Sequence, residues 1–491
     1  MPDKVALVCG EQRLTYAEVE AMANRLAQAL VAHGVSRGDR VLLFLQNSVE
    51  LVVGIFATLK ANAVFVPVNH STKVDKLRFM AQDCRAAGMI TWQRQAKTAV
   101  SLQRTIPSLK TIVVVGDDVP DGCFSFAGIQ ETFGAERPFT QTIDQDLACL
   151  IYTSGSTGEP KGVMSAHSNV VFAASSIITY LQNQPDDIVL NVLPLSFDYG
   201  LYQLFMTFKF GGTLVLERSF AYPAAILKRI VAEKVTGFPL VPTIAAILLQ
   251  LDLSSYDFSN LRYLTNTAAA LSPSHITALQ EKFPTATLFS MYGLTETKRT
   301  LYLPPEQLAV RPGSVGIPIP GTEAWVEDEA GNRLGAGEIG ELVIRGGHVM
   351  RGYWERPEKS AERFRPGPIP GERLCYSGDL FRVDSEGYFY FVGRKDDIIK
   401  SRGEKVAPKE IENVLHGLSG VVETAVIGIP DPVLGEAIKA FVVVNDETLT
   451  EKDVLRFCRQ HLEDFMVPQQ IEFRSALPKS SNGKIAKKEL A

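Results

Sequence analysis

The sequence has few of the residues that build disulfide scaffolds and metal centres, and it lacks long apolar runs. Its 491 residues include six cysteines and seven histidines, and these form neither a Cys-x-x-Cys pair nor a clustered metal-ligand spacing. We therefore expect reduced thiols and no zinc site. No apolar run approaches the ~20 residues that cross a bilayer, and the first residues lack the pattern of a secretory signal. These absences predict a cytoplasmic protein without membrane insertion.

The charge of the chain is mildly acidic and evenly spread. The formal net charge is −5, and no run of like charges, internal repeat or low-complexity tract interrupts the sequence. Such a chain lacks the basic surface that binds nucleic acid, so no nucleic-acid partner is expected. With 46% hydrophobic and 21% charged residues, the composition is typical of a globular protein. The length predicts two or three domains.

The N-terminal part of the chain alternates between helical and strand patterns. Thr15 and Glu18 stand three residues apart, as in a capping box, and apolar residues at helical spacing follow them. Two β-type runs, 40–45 and 63–68, flank a segment that Ser48 can cap as a helix. A strand, a helix and a second strand in this order predict a parallel pair of strands and an α/β architecture.

A loop rich in glycine and hydroxyl residues follows the apolar run 149–152, which suits a buried strand. Glycines allow the backbone to approach a bulky anion, hydroxyl groups donate hydrogen bonds to it, and a lysine adds a fixed positive charge. The loop is not a Walker A motif, because the lysine does not directly follow the last glycine. Composition alone leaves a solvated linker open. The candidate phosphate-binding residues are Thr153, Ser154, Gly155, Ser156, Thr157, Gly158 and Lys161.

The order Thr-Ser-Gly-Ser-Thr-Gly-x-Pro-Lys-Gly in this loop resembles the signature of the AMP-forming adenylating enzymes. These include acyl-CoA synthetases, peptide-synthetase adenylation domains and firefly-type luciferases. Further segments that resemble the family follow in order: Tyr-Gly-Leu-Thr-Glu-Thr at 292–297, Tyr-Ser-Gly-Asp at 376–379 and Asn-Gly-Lys at 482–484. The resemblance implies an α/β fold with a large N-terminal domain, residues 1–395, whose part 313–395 is a β-rich, barrel-like subdomain. A small, mobile α+β domain, residues 396–491, should follow a hinge at Asp396.

The resemblance also implies roles for individual residues of the nucleotide site. Tyr292 would stack on adenine, Thr295 would contact the α-phosphate, Glu296 would bind Mg²⁺ and Asp379 would accept hydrogen bonds from the ribose. Lys484, Thr295 and Glu296 are the implied catalytic residues. Beyond the loop itself, the implied ATP- and AMP-binding residues are Tyr292, Gly293, Thr295, Asp379 and Arg394.

A second set of residues is implied to line the pocket for the acid. In the family's amino-acid-activating members, an aspartate at the position of Asp198 pairs with the substrate ammonium group, although Asp198 could equally cap the next helix. Lys298 and Arg299 could bind a substrate carboxylate or face solvent, and solvent is the expectation for two such residues. The implied pocket residues are Phe197, Asp198, Tyr202, Thr267, Met291 and Arg299.

The implied reaction is the attack of a carboxylate on the α-phosphate of Mg²⁺-bound ATP, followed by transfer of the acyl group to a pantetheine thiol. Asp198 favours an amino-bearing acid, with the phosphopantetheine of a separate carrier protein as the acceptor. The alternative is an acyl- or aryl-CoA synthetase that uses free CoA. A luciferase-like oxygenase is a further alternative. So is a non-catalytic nucleotide-binding relative, which should have lost Lys484, Glu296 or Asp379.

Overall fold

The computed structural model describes residues 1–154, 160–267, 271–401, 404–431, 434–446, 448–480 and 485–490. Their strands form three sheets, and helices separate most of the parallel strands. All six cysteines are free thiols, as expected. The helices are α1 (Tyr16–Ala32), α2 (Val49–Lys60), α3 (Val74–Asp83), α4 (Gln93–Thr105), α5 (Phe126–Thr132), α6 (His167–Leu181), α7 (Asp198–Phe210), α8 (Pro223–Ala232), α9 (Pro242–Gln250), α10 (Pro273–Lys282), α11 (Pro357–Arg363), α12 (Pro408–His416) and α13 (Glu451–His461).

The first helices begin where the sequence places their caps. The Thr15 side chain accepts a hydrogen bond from the Glu18 amide, and the Glu18 carboxylate accepts one from the Thr15 amide, so the predicted capping box is confirmed. Ser48 caps α2 through the amide of Leu51, as predicted. Each cap satisfies an amide that the first turn of a helix leaves without an internal partner.

The first sheet contains seven strands in the order β7-β6-β5-β3-β4-β8-β9. All neighbours pair in parallel except β8 and β9, which form an antiparallel hairpin around the glycine-rich loop. The parallel pair β3 and β4 confirms the α/β prediction. The strands are β3 (Arg40–Phe44), β4 (Val64–Pro67), β5 (Gly88–Trp92), β6 (Thr111–Val115), β7 (Phe124–Ser125), β8 (Leu147–Ser154) and β9 (Pro160–Ala166).

The second sheet runs in the order β17-β18-β20-β21-β16-β15-β14-β13-β12-β10-β11-β1-β2, and β19 pairs with β20. From β1 to β14 the neighbours along this path are parallel. Those strands are β1 (Val5–Cys9), β2 (Gln12–Thr15, antiparallel to β1), β10 (Ile188–Asn191), β11 (Thr213–Leu216), β12 (Gly237–Leu240), β13 (Tyr263–Asn266) and β14 (Thr287–Tyr292).

The β-rich region predicted after residue 313 is present as antiparallel strands that extend this second sheet beyond β14. A continuous path of hydrogen-bonded strands therefore connects it to the parallel part of the sheet. The strands are β15 (Leu301–Leu303), β16 (Ser314–Pro318), β17 (Thr322–Glu327), β18 (Ile339–Gly346), β19 (Phe364–Pro366), β20 (Arg373–Val383) and β21 (Phe389–Arg394).

The third sheet belongs to the C-terminal part of the chain and has the order β23-β22-β25-β24, with β26 paired to β25. Helices α12 and α13 pack on it around a separate apolar cluster that includes Ile411, Leu415, Ile438 and Val454. A core of its own is expected of a small domain. The strands are β22 (Ile399–Ser401), β23 (Glu404–Val406), β24 (Val421–Asp431), β25 (Gly435–Val444) and β26 (Gln470–Phe473).

Among the described residues, no helix is both long enough and apolar enough to cross a membrane.

Candidate active site

The glycine-rich loop closes the hairpin of β8 and β9. Thr153 lies opposite Lys161 in this hairpin, and the backbone of Ser154 lies opposite Pro160. Gly155, Ser156, Thr157 and Gly158 lie outside the described residues. The far side of β9 is held by backbone hydrogen bonds to the segment 351–354, which bring Tyr353 beside Lys161. The hairpin thus ends at the carboxyl edge of β8, where ligands of open α/β sheets usually bind.

A second loop connects β14 to β15 and carries the segment 293–300. The Thr300 amide donates to the Tyr292 carbonyl and closes the loop at its base. A Cβ atom at position 293 would collide with the Lys298 carbonyl, so Gly293 is required by this close approach. Lys298 has φ of +63°, a backbone conformation that is rare for a lysine. The loop consequently sends its side chains in two directions, Glu296 to one side and Lys298 with Arg299 to the other.

Glu296 faces the β8–β9 hairpin that carries the glycine-rich loop. Its carboxylate accepts a 2.6 Å hydrogen bond from the Tyr353 hydroxyl, and only 8% of the residue is exposed. The Lys161 ammonium lies 5.4 Å from the centre of the Tyr353 ring. Burial lowers the pKa of Lys161, and the charge of Lys359 acts in the same direction, while Glu296 opposes both. Thr295 lies half-buried in the same turn. A cation, a carboxylate and a hydroxyl are therefore gathered beside the loop.

Arg363, at the end of α11, also points into this region, which sequence analysis did not anticipate. Its Nε atom is buried without a hydrogen-bond partner among the described residues. Burial acts to lower the pKa of the guanidinium, but Glu296, Asp379 and the other acidic groups around it together outweigh burial, and the pKa is raised. Gly378 leaves room for the Arg363 guanidinium, which a Cβ atom there would meet. Arg363 is thus a second cation beside Glu296.

Tyr292, Asp379 and Arg394, which are distant in sequence, meet at one place. The Tyr292 hydroxyl donates a 2.6 Å hydrogen bond to Asp379 Oδ2, and Arg394 Nε lies 3.5 Å from Asp379 Oδ1. β20 and β21 place Asp379 directly opposite Arg394 in their register. Burial raises the pKa of Asp379, although the Arg394 charge and the Tyr292 hydrogen bond oppose it. The tyrosine ring packs edge-on against Phe381, with centroids 5.0 Å apart.

The predicted hinge residue lies in a turn between β21 and the first strand of the third sheet. Asp396 is exposed there, and the Asp397 amide donates to the Arg394 carbonyl. Lys484 lies outside the described residues. Residues on both sides of it contact the rest of the C-terminal region. Lys479 and Ile485 form an antiparallel β-bridge, and the Lys487 ammonium lies 2.6 Å from a carboxylate oxygen of Glu412.

The side of the 293–300 loop that packs against α7 holds a buried ion pair, and we call it the acid side after the substrate pocket that the sequence predicts there. The Lys298 ammonium lies 2.7 Å from Asp198 Oδ1, and the two side chains are 0% and 7% exposed. Asp198 begins α7, but Phe197 is the N-cap residue and no side chain caps the helix. The sequence offered two roles for Asp198, a substrate ammonium or a helix cap. The structure shows a third arrangement, in which the carboxylate already has an internal cation.

Arg299 is also buried, so the expectation that Lys298 and Arg299 face solvent is wrong. The two residues are 2% and 3% exposed, because α7 packs over them. The Arg299 guanidinium lies 4.4 Å from the centre of the Tyr199 ring, a cation–π contact. Of the other residues predicted for the pocket, Tyr202 on α7, Thr267 after β13 and Met291 in β14 are buried, and Phe197 is half-buried.

Tyr180 and Tyr199 line this acid side of the loop. The Tyr180 hydroxyl lies 2.8 Å from the Met291 sulfur, and its ring stacks on Tyr302 with centroids 4.3 Å apart. The Tyr199 hydroxyl donates to the Thr265 carbonyl at 2.7 Å. Neither tyrosine was singled out in the sequence. A tyrosine at the start of a helix that follows an inferred pocket strand is the signal that could have identified Tyr199.

Models of known families match most of the chain. Residues 1–354 match the AMP-binding enzyme family, and residues 410–484 match the AMP-binding enzyme C-terminal domain. A feruloyl-CoA synthase of Amycolatopsis sp. is 34% identical, with 100% of this chain and 96% of the relative covered. A long-chain-fatty-acid–CoA ligase of Bacillus subtilis is 31% identical, with coverages of 100% and 91%.

The fold agrees with these sequence matches. The crystal structure of ATP-bound MatB from Rhodopseudomonas palustris superposes with a TM-score of 0.92 at 31% identity, covering 100% of this chain and 95% of that one. The large α/β domain, the small C-terminal domain and the order of the motifs are therefore those of one family. The chain belongs to the AMP-binding enzymes, and it is an AMP-forming acid–thiol ligase of the acyl-CoA synthetase type.

Proposed function

We propose that the protein converts a small carboxylic acid into its CoA thioester through an acyl-adenylate. The observation that carries this proposal is the buried pair of Asp198 with Lys298. The Asp198 carboxylate was the reason to expect an amino-bearing acid passed to a carrier protein, and it is already neutralised. The two relatives described above, which align over more than nine-tenths of their own length, are named as CoA synthase and CoA ligase, which supports CoA as the acceptor.

In the first step, an oxygen of the acid carboxylate attacks the α-phosphorus of ATP, and pyrophosphate leaves. Both reactants are anionic, so the barrier comes largely from repulsion and from negative charge on the phosphate oxygens. Lys161 and Arg363 are described cations beside Glu296 that would attract this charge. Thr295 would donate its hydroxyl to the α-phosphate.

The residues that meet around Asp379 would hold the nucleoside. The ionised Asp379 carboxylate would accept hydrogen bonds from the ribose hydroxyls, and Arg394 would keep it ionised. The Tyr292 hydroxyl occupies one carboxylate oxygen in this structure. Ribose binding therefore requires the Tyr292 hydroxyl to share that oxygen or to release it.

Glu296 fits the role of a magnesium ligand. Mg²⁺ in nucleotide sites is held by one or two carboxylates, substrate phosphates and water, and not by a cage of protein ligands. The ion would supply positive charge for the phosphates, while Tyr353 orients the Glu296 carboxylate through its hydroxyl.

In the second step, the thiol attacks the acyl carbon, and AMP leaves with one oxygen of the original carboxylate. We propose that the small domain turns about Asp396 between the two steps. In one orientation Lys484 would stabilise the charge that develops during adenylation, and in the other it would give way to the thiol. The exposed turn at Asp396 is a suitable hinge, because backbone rotation there disturbs no buried side chain.

The acceptor can be tested with one enzyme preparation and three thiols. A pyrophosphate-release screen over aryl, fatty and amino acids first identifies an acid that is activated. That acid is then supplied with ATP and either CoA, pantetheine or a carrier protein that bears phosphopantetheine. We expect acyl-CoA to accumulate with one AMP per thioester. Loading of the carrier protein without consumption of CoA would contradict the proposal.

A matched pair of variants controls for general damage. Glu296→Gln removes the proposed metal ligand and should depress turnover while it raises the Mg²⁺ requirement. Glu281→Gln makes the same chemical change on the exposed face of α10 and should behave like the wild type. An equal response of the two variants would remove the magnesium role of Glu296.

A further inference from the structure

Arg299 is a buried cation without a counter-anion among the described residues. The residue is 3% exposed, and its Nε atom is buried without a hydrogen-bond partner. The guanidinium carbon of Arg299 lies 4.4 Å from the centre of the Tyr199 ring. A tyrosine face attracts a cation only weakly compared with a carboxylate. A guanidinium in this setting is costly unless an anion joins it.

Lys298 does not share its counter-ion with Arg299. The Asp198 carboxylate is 2.7 Å from the Lys298 ammonium, and Arg299 forms no ion pair with an acidic side chain of the described residues. Two cations and one carboxylate leave the cluster with a net positive charge. Both cations are buried at a point where the backbone of Lys298 has a positive φ, so the excess positive charge lies in a constrained part of the loop.

The tyrosines that face Arg299 do not supply the missing anion. Burial raises the pKa of Tyr180, Tyr199 and Tyr202, and the opposing effect of the Arg299 charge is smaller in each case. All three therefore stay protonated at neutral pH. The Tyr202 hydroxyl is buried without a hydrogen-bond partner among the described residues. It stands three residues after Tyr199 and shares its face of α7.

Two unpaired donors, one of them charged, thus lie at the acid side of the loop. Donors of this kind require an acceptor, and a cation requires a negative one. We propose that the acid substrate carries a second carboxylate, at the end remote from the reacting one, which Arg299 and Tyr202 bind. This inference rests on the proposed function and narrows its substrate class to dicarboxylic acids. Fatty and amino acids would leave the Arg299 charge without a partner.

The reacting carboxylate is a poor candidate for this position. Glu296, Lys161 and Arg363 mark the phosphate side of the 293–300 loop, and the attacking oxygen must lie there. Arg299 lies on the opposite side of the loop, against α7. A molecule that reaches both sides needs a polar group at each end.

Matched substrates test the inference directly. Each dicarboxylic acid, for example succinate, glutarate, adipate or terephthalate, is compared with its own monomethyl ester in a pyrophosphate-release assay with CoA present. The ester keeps the reacting carboxylate and the length but loses the second charge. We expect kcat/KM to favour the diacid of the best-fitting pair by about 30-fold or more, since an unpaired buried charge costs at least ~2 kcal/mol.

Two variants assign the preference to the named side chains. Arg299→Met should lower kcat/KM for the diacid by about 30-fold, mostly through KM, and leave the ester unchanged or improved. Tyr202→Phe should lower the diacid value by about 10-fold. Arg333→Met removes an exposed guanidinium that stacks on Trp325 in the same way, and it should leave the preference intact.

The outcomes separate this inference from the proposed function. Activation of monocarboxylates in preference to every diacid, or an equal loss on diacid and ester in Arg299→Met, would overturn the second-carboxylate site while the ligase remains. Failure of all acids to release pyrophosphate would overturn the proposed function itself. If Arg299→Met does not fold, the wild-type ratio of diacid to ester still decides, and Arg299→Lys provides a charged replacement.

Discussion

Removal of the Asp198 carboxylate should destabilise the large domain strongly, because it leaves the Lys298 ammonium buried and unpaired. The two charges are 2.7 Å apart, and the Lys298 side chain has 0% exposed surface. At an effective dielectric constant of about 20, unit charges at this distance attract by ~6 kcal/mol, which the cost of desolvating both largely offsets. Loss of one partner removes the attraction but not the remaining desolvation cost. We expect Asp198→Ala to lower the free energy of unfolding by ~3–5 kcal/mol.

The double variant Asp198→Leu/Lys298→Met should recover most of this loss, since it removes both charges and fills their volume with apolar atoms. The assay is urea unfolding followed by tryptophan fluorescence. The three tryptophans of the chain, Trp92, Trp325 and Trp354, all precede residue 396, so the signal reports on the large domain.

An exposed ion pair provides the comparison. Glu323, with its side chain 44% exposed, pairs on the surface with Arg333 and Arg345, which are 58% and 29% exposed, and Glu323→Ala should cost less than ~1 kcal/mol. Equal destabilisation by Asp198→Ala and Glu323→Ala would refute the reasoning. A double variant no more stable than Asp198→Ala would refute it as well.

Three further predictions concern the nucleotide, acid stability and the two half-reactions. Burial raises the pKa of Asp379, and the proposed ribose binding needs the ionised carboxylate, so the KM for ATP should rise as the pH falls through that raised pKa. Asp379→Asn should bind ATP weakly at every pH. A KM for ATP that does not change with pH in the wild type would contradict the ribose-binding role of Asp379. Burial lowers the pKa of His348 to about 3, so below pH 6.5 the unfolded chain binds a proton that the folded protein excludes. The free energy of unfolding should therefore fall with the pH below 6.5, by up to ~1.4 kcal/mol per pH unit. His348→Gln should remove that part of the pH dependence in unfolding experiments. Lys484→Ala should slow adenylation by ~10²–10³ and leave thioester formation from supplied acyl-adenylate nearly intact, and an equal effect on both half-reactions would contradict domain rotation.

Much of the fold follows from local signals in the sequence. The capping box at Thr15 and the cap at Ser48 set the starts of α1 and α2 because the side chain and the amide it binds are three residues apart. Strand, helix and strand in succession predict parallel pairing because a short crossover allows little else. Family resemblance places Tyr292, Asp379 and Arg394 in short motifs, and the structure brings the three side chains together, while their binding of a nucleotide stays a prediction.

The acid side could not be predicted because its energetics depend on contacts across the chain. Lys298 and Asp198 are 100 residues apart, and neither local sequence nor composition indicates that they pair. Two consecutive cations are usually exposed, and only the positive φ of Lys298 and the packing of α7 turn them inward. Arg363 was missed for a similar reason, since a cation at the end of a short helix is ordinarily solvated.

The central claim is that the acid attacks the α-phosphorus of ATP, and an isotope measurement tests it most directly. A carboxylic acid that the enzyme accepts as substrate is labelled with ¹⁸O at both carboxylate oxygens and incubated with ATP, Mg²⁺ and CoA. The masses of the products are then measured by mass spectrometry. Attack at the α-phosphorus makes one labelled oxygen the bridge of the acyl-adenylate, and cleavage by the thiol leaves that oxygen on AMP. The account predicts one ¹⁸O in AMP, one in the thioester and none in pyrophosphate. Label in inorganic phosphate, or ADP as a product in place of AMP, would contradict it.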